Sequence, residues 1–180
     1  INNIHPTYIQ EMSSDNRYTD KQILSAIDFL KKVDASFYNS ESMKNAMPTL
    51  MDKKDGNWSA KNWARGKDIL IIGSGPSTLS YREELIRFIN RKDPVVLCVN
   101  INENFPKDLV TAYIACHESR ILVESTTYSS LKKPIILPLS FLPDQLKNLL
   151  SDIDILDYGL KVETDGFHIS NNGCILGNTY

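Results

Sequence analysis

The sequence is short of the residues from which metal and redox centres are built. It has three histidines and three cysteines in 180 residues. No CxxC pair occurs, which argues against a zinc ribbon and against a thioredoxin-type site. His5 and His168 have no obvious partners, so no three-ligand metal site is expected. Cys98, Cys116 and Cys174 are widely spaced, and the first two sit in apolar runs. Cys98 and Cys116 are expected as buried, reduced thiols, and the cysteine usage suits a reducing, cytoplasmic compartment. No apolar run reaches the roughly 18 residues of a membrane span and no signal peptide is visible, so no membrane partner is expected. No long basic run occurs and the net charge is −2, so no nucleic-acid groove lined by Lys and Arg is expected either. The chain begins at Ile1 without Met and stops at "GNTY", just where a new element would open. Both ends read as cuts in a longer protein.

What is present has the composition of a globular domain, with 42% hydrophobic and 23% charged residues. A chain of this length can bury about two-thirds of its unfolded surface. The texture changes near residue 65, which predicts two parts: a helical lead-in over 1–65 and an α/β domain over 66–180. In the lead-in, Thr19 and Gln22 form a capping-box pattern ahead of Ile23, Ala26, Ile27 and Leu30 at helical spacing. "SESMKNAM" predicts a second short helix over about 41–47, ended by Pro48, and "MDKKDGNWSA" an exposed loop.

From Lys67 onward, short continuous apolar runs alternate with helical patterns. "DILIIG" (68–73), "PVVLCVN" (94–100), "DLVTAYIAC" (108–116), "PIILP" (134–138) and "DILDYG" (154–159) predict strands. Ser80 and Glu83 form a second capping-box pattern, ahead of a helix burying Leu85, Ile86, Phe88 and Ile89. "ESRILVEST" and "PDQLKNLL" predict short helices. The alternation predicts a Rossmann-like three-layer domain with a mostly parallel sheet. Beyond about 165, "ETDGFHISNNGCILGN" holds three Gly and three Asn and reads as a loop, a place where function is often found.

The most informative stretch is "GSGPS", residues 73–77, at the end of the first predicted strand. Ligands of doubly wound sheets sit beyond the carboxyl ends of strands at the topological switch point, which the first strand usually borders. Gly73 and Gly75 can take angles closed to other residues and let a ligand reach the main chain. Ser74 and Ser77 add hydroxyls, Pro76 stiffens the turn, and the next helix aims its N-terminal amides at it. That combination suits a phosphate. The dinucleotide fingerprint is incomplete, since Thr78 occupies the third glycine position, and GK[ST] is missing, so neither a strict NAD site nor a P-loop is expected. A strand-to-helix corner with no ligand stays open as the plain alternative. Asn100 ends the second strand at the same sheet edge and suits either a ribose or phosphate contact or a turn. Asn102 and Asn104 are weaker candidates. His117 and Glu118, in "CHES", offer a weak acid–base pair, with His117 the only candidate catalytic residue. Gly177, Asn178 and Thr179 could present donors to the same ligand.

"GKDILIIGSGPSTLSYREELIRFI…PVVLCVN" resembles the GxGPS segment of a Rossmann-like family that includes bacterial sialyltransferases and pterin-pyrophosphokinase-like proteins. That resemblance implies contacts to a nucleotide from Gly73, Gly75, Ser77 and Asn100, with Gly177, Asn178 and Thr179 as a further segment. "NIHPTYIQEM…RYTDKQILSAIDFLKKVDASFYNSESM" resembles the region after the barrel in proteins related to 4-hydroxy-2-oxovalerate aldolase and HMG-CoA lyase. Some of these carry a C-terminal GxGPS domain, often among surface-polysaccharide genes. The two matches together imply the C-terminal part of an aldolase-like lyase, with its barrel and that barrel's divalent metal lying before Ile1. They imply an accessory domain, not catalytic alone, that has no cofactor of its own and binds a nucleotide or phosphosugar, with the barrel of the same chain as partner. A sialyltransferase-like glycosyltransferase is the alternative. It would use His117 as base and the stretch after 163 as a lid. A structural or oligomerisation module is the third reading.

Overall fold

The computed structural model describes residues 19–21, 23–24, 54–116, 118–142, 144–162, 168–170 and 173–176. Of the lead-in, Asp20, Lys21, Ile23 and Leu24 are helical, and the Ile23 amide donates to the Thr19 carbonyl at 3.0 Å. The remainder of that helix and the one expected over 41–47 lie outside the described residues.

The centre of the fold is a five-stranded, all-parallel sheet of β2 (Ile69–Ile72), β3 (Val95–Val99), β4 (Ala112–Ile114), β5 (Ile135–Leu137) and β6 (Ile155–Asp157). The helices between them are α1 (Ser77–Ser80), α2 (Arg82–Lys92), α3 (Glu118–Leu131) and α4 (Asp144–Leu149). The chain is therefore an α/β, Rossmann-like domain. A strand before the sheet, β1 (Lys54–Asp55), pairs antiparallel with β7 (Gly159–Val162). With β8 (His168–Ser170) and β9 (Gly173–Leu176) these make a second sheet in the order β1-β7-β9-β8. The passage expected as a loop thus contains two strands. Ser170 pairs with Gly173, leaving residues 171–172 between β8 and β9, the length of a tight hairpin connection.

The strand order β2-β3-β4-β5-β6 follows the sequence without reversal. This corrects the expectation of a switch point beside the first strand: β2 lies at the edge. Right-handed crossovers that always step in one direction deliver their helices to one face of a sheet. The packing agrees. Ile89 of α2, Ile121 and Tyr128 of α3, and Leu146 of α4 share one core with Ile72, Val96, Cys98, Tyr113, Ile135 and Leu137. The opposite face carries Val95, Leu97, Ala112 and Ile136, packed by Trp58, Trp63 and Ala64. The two indoles meet edge to face, 5.7 Å apart at 85°.

α3 runs to Leu131, well past the short helix expected. Its second half, "ESTTYSS", is poor in strong helix formers. Burial of Ile121, Leu122, Val123, Glu124, Ser125, Tyr128 and Leu131 overrides that preference. The hydroxyls of Ser125 and Ser130 donate to carbonyls three residues back. β4 is shorter than expected because residues after Pro106 form a 3-10 turn, Lys107–Leu109. The Ser80–Glu83 capping box is not formed: Ser80 ends α1, and α2 begins after Tyr81 with no side-chain cap.

The cysteines divide. Cys98 is buried, as expected, but Cys116 is exposed, because β4 stops at Ile114 and leaves residue 116 past its end. The side chain of Cys174 lies outside the described residues. A thiol reagent is expected to label Cys116 in the native protein and Cys98 only on unfolding, as read by peptide mapping. Burial pushes the Cys98 thiol up from 9.0 to about 11. The neighbouring Tyr113 hydroxyl is pushed to about 12, by burial and then by Cys98. The folded state thus keeps a proton that the unfolded chain gives up. The contribution of Cys98 is complete below pH 9 and is lost as pH rises through about 11. The urea midpoint is expected to fall across that window, and to fall less steeply in Cys98→Val.

Candidate functional site

The GSGPS turn follows β2 directly, so Gly73 begins where the ladder with β3 ends at Ile72 and Cys98. Ser74, Gly75, Pro76 and Ser77 are all exposed. Neither glycine uses its conformational freedom: the positive-φ glycines are Gly66 and Gly159. What the glycines provide is room. A Cβ on Gly73 would meet no atom within 4 Å, and one on Gly75 would meet only Ser77 Oγ at 3.9 Å. The helix expected to aim its N-terminal amides at the turn is short. α1 has four residues and breaks at Tyr81, so the aligned peptides behind the turn amount to one turn of helix.

The turn is fastened from two sides through one atom. The Gly73 carbonyl accepts a hydrogen bond from Thr78 Oγ1 at 2.8 Å and another from Asn102 Nδ2 at 3.1 Å. Thr78, at the position of the missing fingerprint glycine, is buried and serves as this clamp. With its lone pairs engaged, the Gly73 carbonyl is less able to repel an anion. The amides of Ser74 and Gly75 donate to no group among the described residues. The turn therefore offers donors and withholds its acceptor.

Asn100 and Asn102 play different parts in the loop after β3. Asn100 sits at φ 60°, a left-handed conformation that Asn tolerates, and its amide donates to the Ile114 carbonyl at 2.8 Å. It makes the turn after β3, and its half-buried carboxamide has no partner among the described residues. Asn102, 5% exposed, joins the two loops: Nδ2 holds Gly73 and Oδ1 accepts the Asn104 amide at 3.0 Å. Arg82, absent from the sequence candidates, reaches from the start of α2 to the same loop. Its Nε donates to the Asn104 carbonyl at 3.2 Å, and its Nη1 lies 3.2 Å from Glu83 Oε1. It places a guanidinium at this edge of the sheet.

Beneath the 100–104 loop lies a buried charged cluster that composition and spacing did not mark. Glu124, 1% exposed, accepts the Ile101 amide at 3.3 Å and the Tyr128 hydroxyl at 2.8 Å through Oε2. Arg120 Nε lies 2.5 Å from its Oε1. Burial pushes the Glu124 carboxyl up, against the Arg120 charge and the hydrogen bonds that favour the ionised form. Burial, then Glu124, push the Tyr128 hydroxyl up as well, so it stays a donor. A Glu and an Arg one helical turn apart in an apolar helix were the available signal.

His117, Asn178 and Thr179, with Gly177, lie outside the described residues. Among the described residues, no group of three or more His, Cys, Asp or Glu could hold a metal ion, and no helix is long and apolar enough to cross a membrane. No protein-family model matches the chain, and no curated protein or solved structure matches it.

Proposed function

We propose that the 73–77 turn and the 100–104 loop form a cradle for a small phosphorylated ligand, a nucleotide or phosphosugar. On this reading the domain is the accessory binding unit of an aldolase-like, cytoplasmic lyase whose barrel belongs to the same chain. One observation carries it: the Gly73 carbonyl is occupied by Thr78 and Asn102, while the Ser74 and Gly75 amides stay uncommitted among the described residues. A corner with no ligand has no need of two glycines at angles that other residues could adopt, with open space before both. Arg82 would supply the opposite charge, and Asn100 a carboxamide for a sugar or phosphate oxygen.

The test is a thermal-shift titration with CMP, UMP, GDP, AMP and inorganic phosphate. A ligand at about 100 times its dissociation constant adds about 2.7 kcal/mol. That corresponds to a rise of about 5–10 °C in a domain of this size. Gly73→Ala and Gly75→Ala are expected to leave the unliganded midpoint within about 2 °C, since the added methyl meets open space. They are expected to abolish the response, as is Asn100→Ala. A variant glycine that responds like the wild type, or no shift with any ligand, defeats the reading.

A further inference from the structure

β2 is an edge strand with nothing to blunt it. Among the described residues it pairs with β3 on one side and with no strand on the other. The Val95 amide donates to the Asp68 carbonyl at 2.9 Å, so Asp68 faces β3. Successive residues of a strand turn their main-chain groups to alternate sides. Leu70 and Ile72 therefore face β3, and the amides and carbonyls of Ile69 and Ile71 face the open side. Their side chains are open as well: Ile69 is 53% and Ile71 62% exposed, on the face that carries Val95 and Leu97. Exposed edges are ordinarily guarded by a charge, a proline or a bulge. β2 reads Ile-Leu-Ile-Ile and runs in unbroken register with residues 95–98.

We propose that this edge joins two copies of the chain, antiparallel across a two-fold axis at Leu70, so that their parallel sheets continue into one another. A two-fold contact uses the same patch on both copies, and β2 is complementary to itself. With Leu70 opposite its own counterpart, Ile69 of each copy lies opposite Ile71 of the other. Both are open residues, so each such pair exchanges both of its hydrogen bonds, as in an ordinary antiparallel ladder. A shift of one residue would set an open residue against one turned to β3. A shift of two would leave one open isoleucine against Lys67 or Gly73, past the end of the strand. Opposite residues also share a face, so the exposed isoleucines of the two copies cover one another. Charge agrees: Asp68 comes opposite Ile72 and Lys67 opposite Gly73, so no like charges meet, and Lys67 keeps Asp93 at 2.6 Å within its own copy. Edges of four residues bury less than the roughly 1,600 Å² of a standard interface, which makes the dimer a weak, reversible one.

The test is sedimentation of the 180-residue chain from about 5 to about 500 µM, the range in which a weak dimer forms. The mass is expected to rise from the 20.4 kDa of one chain towards twice that. Ile71→Lys puts a charge on the edge at an exposed position. It is expected to stay at the single-chain mass throughout, with a thermal midpoint in dilute solution within about 2 °C of the wild type. Amide exchange followed by NMR reads the pairing in the wild type itself: the Ile69 and Ile71 amides should slow by about tenfold between the two ends of the concentration range. A single-chain mass at every concentration overturns the proposal. So does a dimer that Ile71→Lys leaves intact, or one whose Ile69 and Ile71 amides exchange as fast as in the dilute protein, since either places the contact elsewhere.

Discussion

Glu124→Leu is expected to cost about 3–5 kcal/mol of unfolding free energy, the loss seen when one partner of a buried ion pair is removed. Three groups converge on the Glu124 carboxylate: the Arg120 guanidinium as an ion pair at 2.5 Å, and the Tyr128 hydroxyl and the Ile101 amide as hydrogen-bond donors to Oε2. Leucine fills much of the volume but accepts from none of them. Arg120, only 14% exposed at its side chain, is left with a charge and no counter-ion at Glu124. Tyr128 is among the largest fully buried side chains. Its hydroxyl would become an unsatisfied donor, at a cost of about 1–3 kcal/mol within that total. Two controls separate the contributions. Tyr128→Phe removes one donor together with its need and should cost about 1 kcal/mol. Glu124→Gln keeps an acceptor but loses the charge, and should fall between the two. Urea unfolding followed by the fluorescence of Trp58 and Trp63 measures all three. A Glu124→Leu midpoint close to that of the wild type would mean that the cluster contributes nothing net.

The same variant reaches the candidate site. Ile101 lies between Asn100 and Asn102, so its amide on Glu124 fixes the loop from below while Asn102 fixes it to Gly73. Releasing the Ile101 amide frees the peptide that orients both asparagines. Glu124→Gln, if it folds, is therefore expected to weaken any phosphate or nucleotide response more than its stability loss explains.

The strands were legible because each is a short, apolar run bounded by turn residues, with no polar alternation to confuse the pattern, even in β2, where Ile69 and Ile71 are exposed. β8 and β9 were not, since in "FHISNNGCIL" Asn171, Asn172 and Gly173 split the apolar residues into two short groups, and the segments find partners only through β9, which pairs with β7 on one side and β8 on the other. The length of α3 was hidden in a Ser- and Thr-rich run that tertiary burial makes helical. Sheet order has no local signature at all: nothing in "DILIIG" distinguishes a central strand from an edge strand. The GSGPS turn was visible as a motif, yet its mechanism was not. Glycine in a sequence suggests left-handed backbone, whereas Gly73 and Gly75 contribute empty space. Asn102 ranked below Asn100 as a candidate because its bond to Gly73, 29 positions away, has no local signature.

Gly56→Ala is the second large effect, expected at about 3 kcal/mol, the upper end of ordinary overpacking losses. A Cβ on Gly56 would lie 2.1 Å from the Asp157 carbonyl oxygen, 2.2 Å from the Gly159 nitrogen and 2.5 Å from the Tyr158 carbonyl carbon. All three are main-chain atoms, so no rotamer change relieves the contact. Nor can the opposing strand retreat freely. The buried Asp157 carboxylate accepts the Ser140 amide at 3.1 Å, the Ser140 hydroxyl, and the Gly159 amide at 3.0 Å. Gly159 itself sits at φ 65°, where another residue would be strained. The strain must therefore fall on the residue 54–58 side. Two residues after Gly56, the Trp58 amide donates to the Asp157 carbonyl at 2.9 Å, and the indole then packs on the second face of the sheet. Pushing Gly56 outward lengthens that bond, opens the β1–β7 pairing and lifts the indole from Val95 and Leu97. The expected result is a lowered urea midpoint together with a red-shifted native tryptophan emission. Gly75→Ala, made in parallel, should leave both signals unchanged, because the same methyl there meets open space. A native emission spectrum that stays unshifted in Gly56→Ala would show that the 54–58 segment does not seat Trp58 through its contact with 157–159.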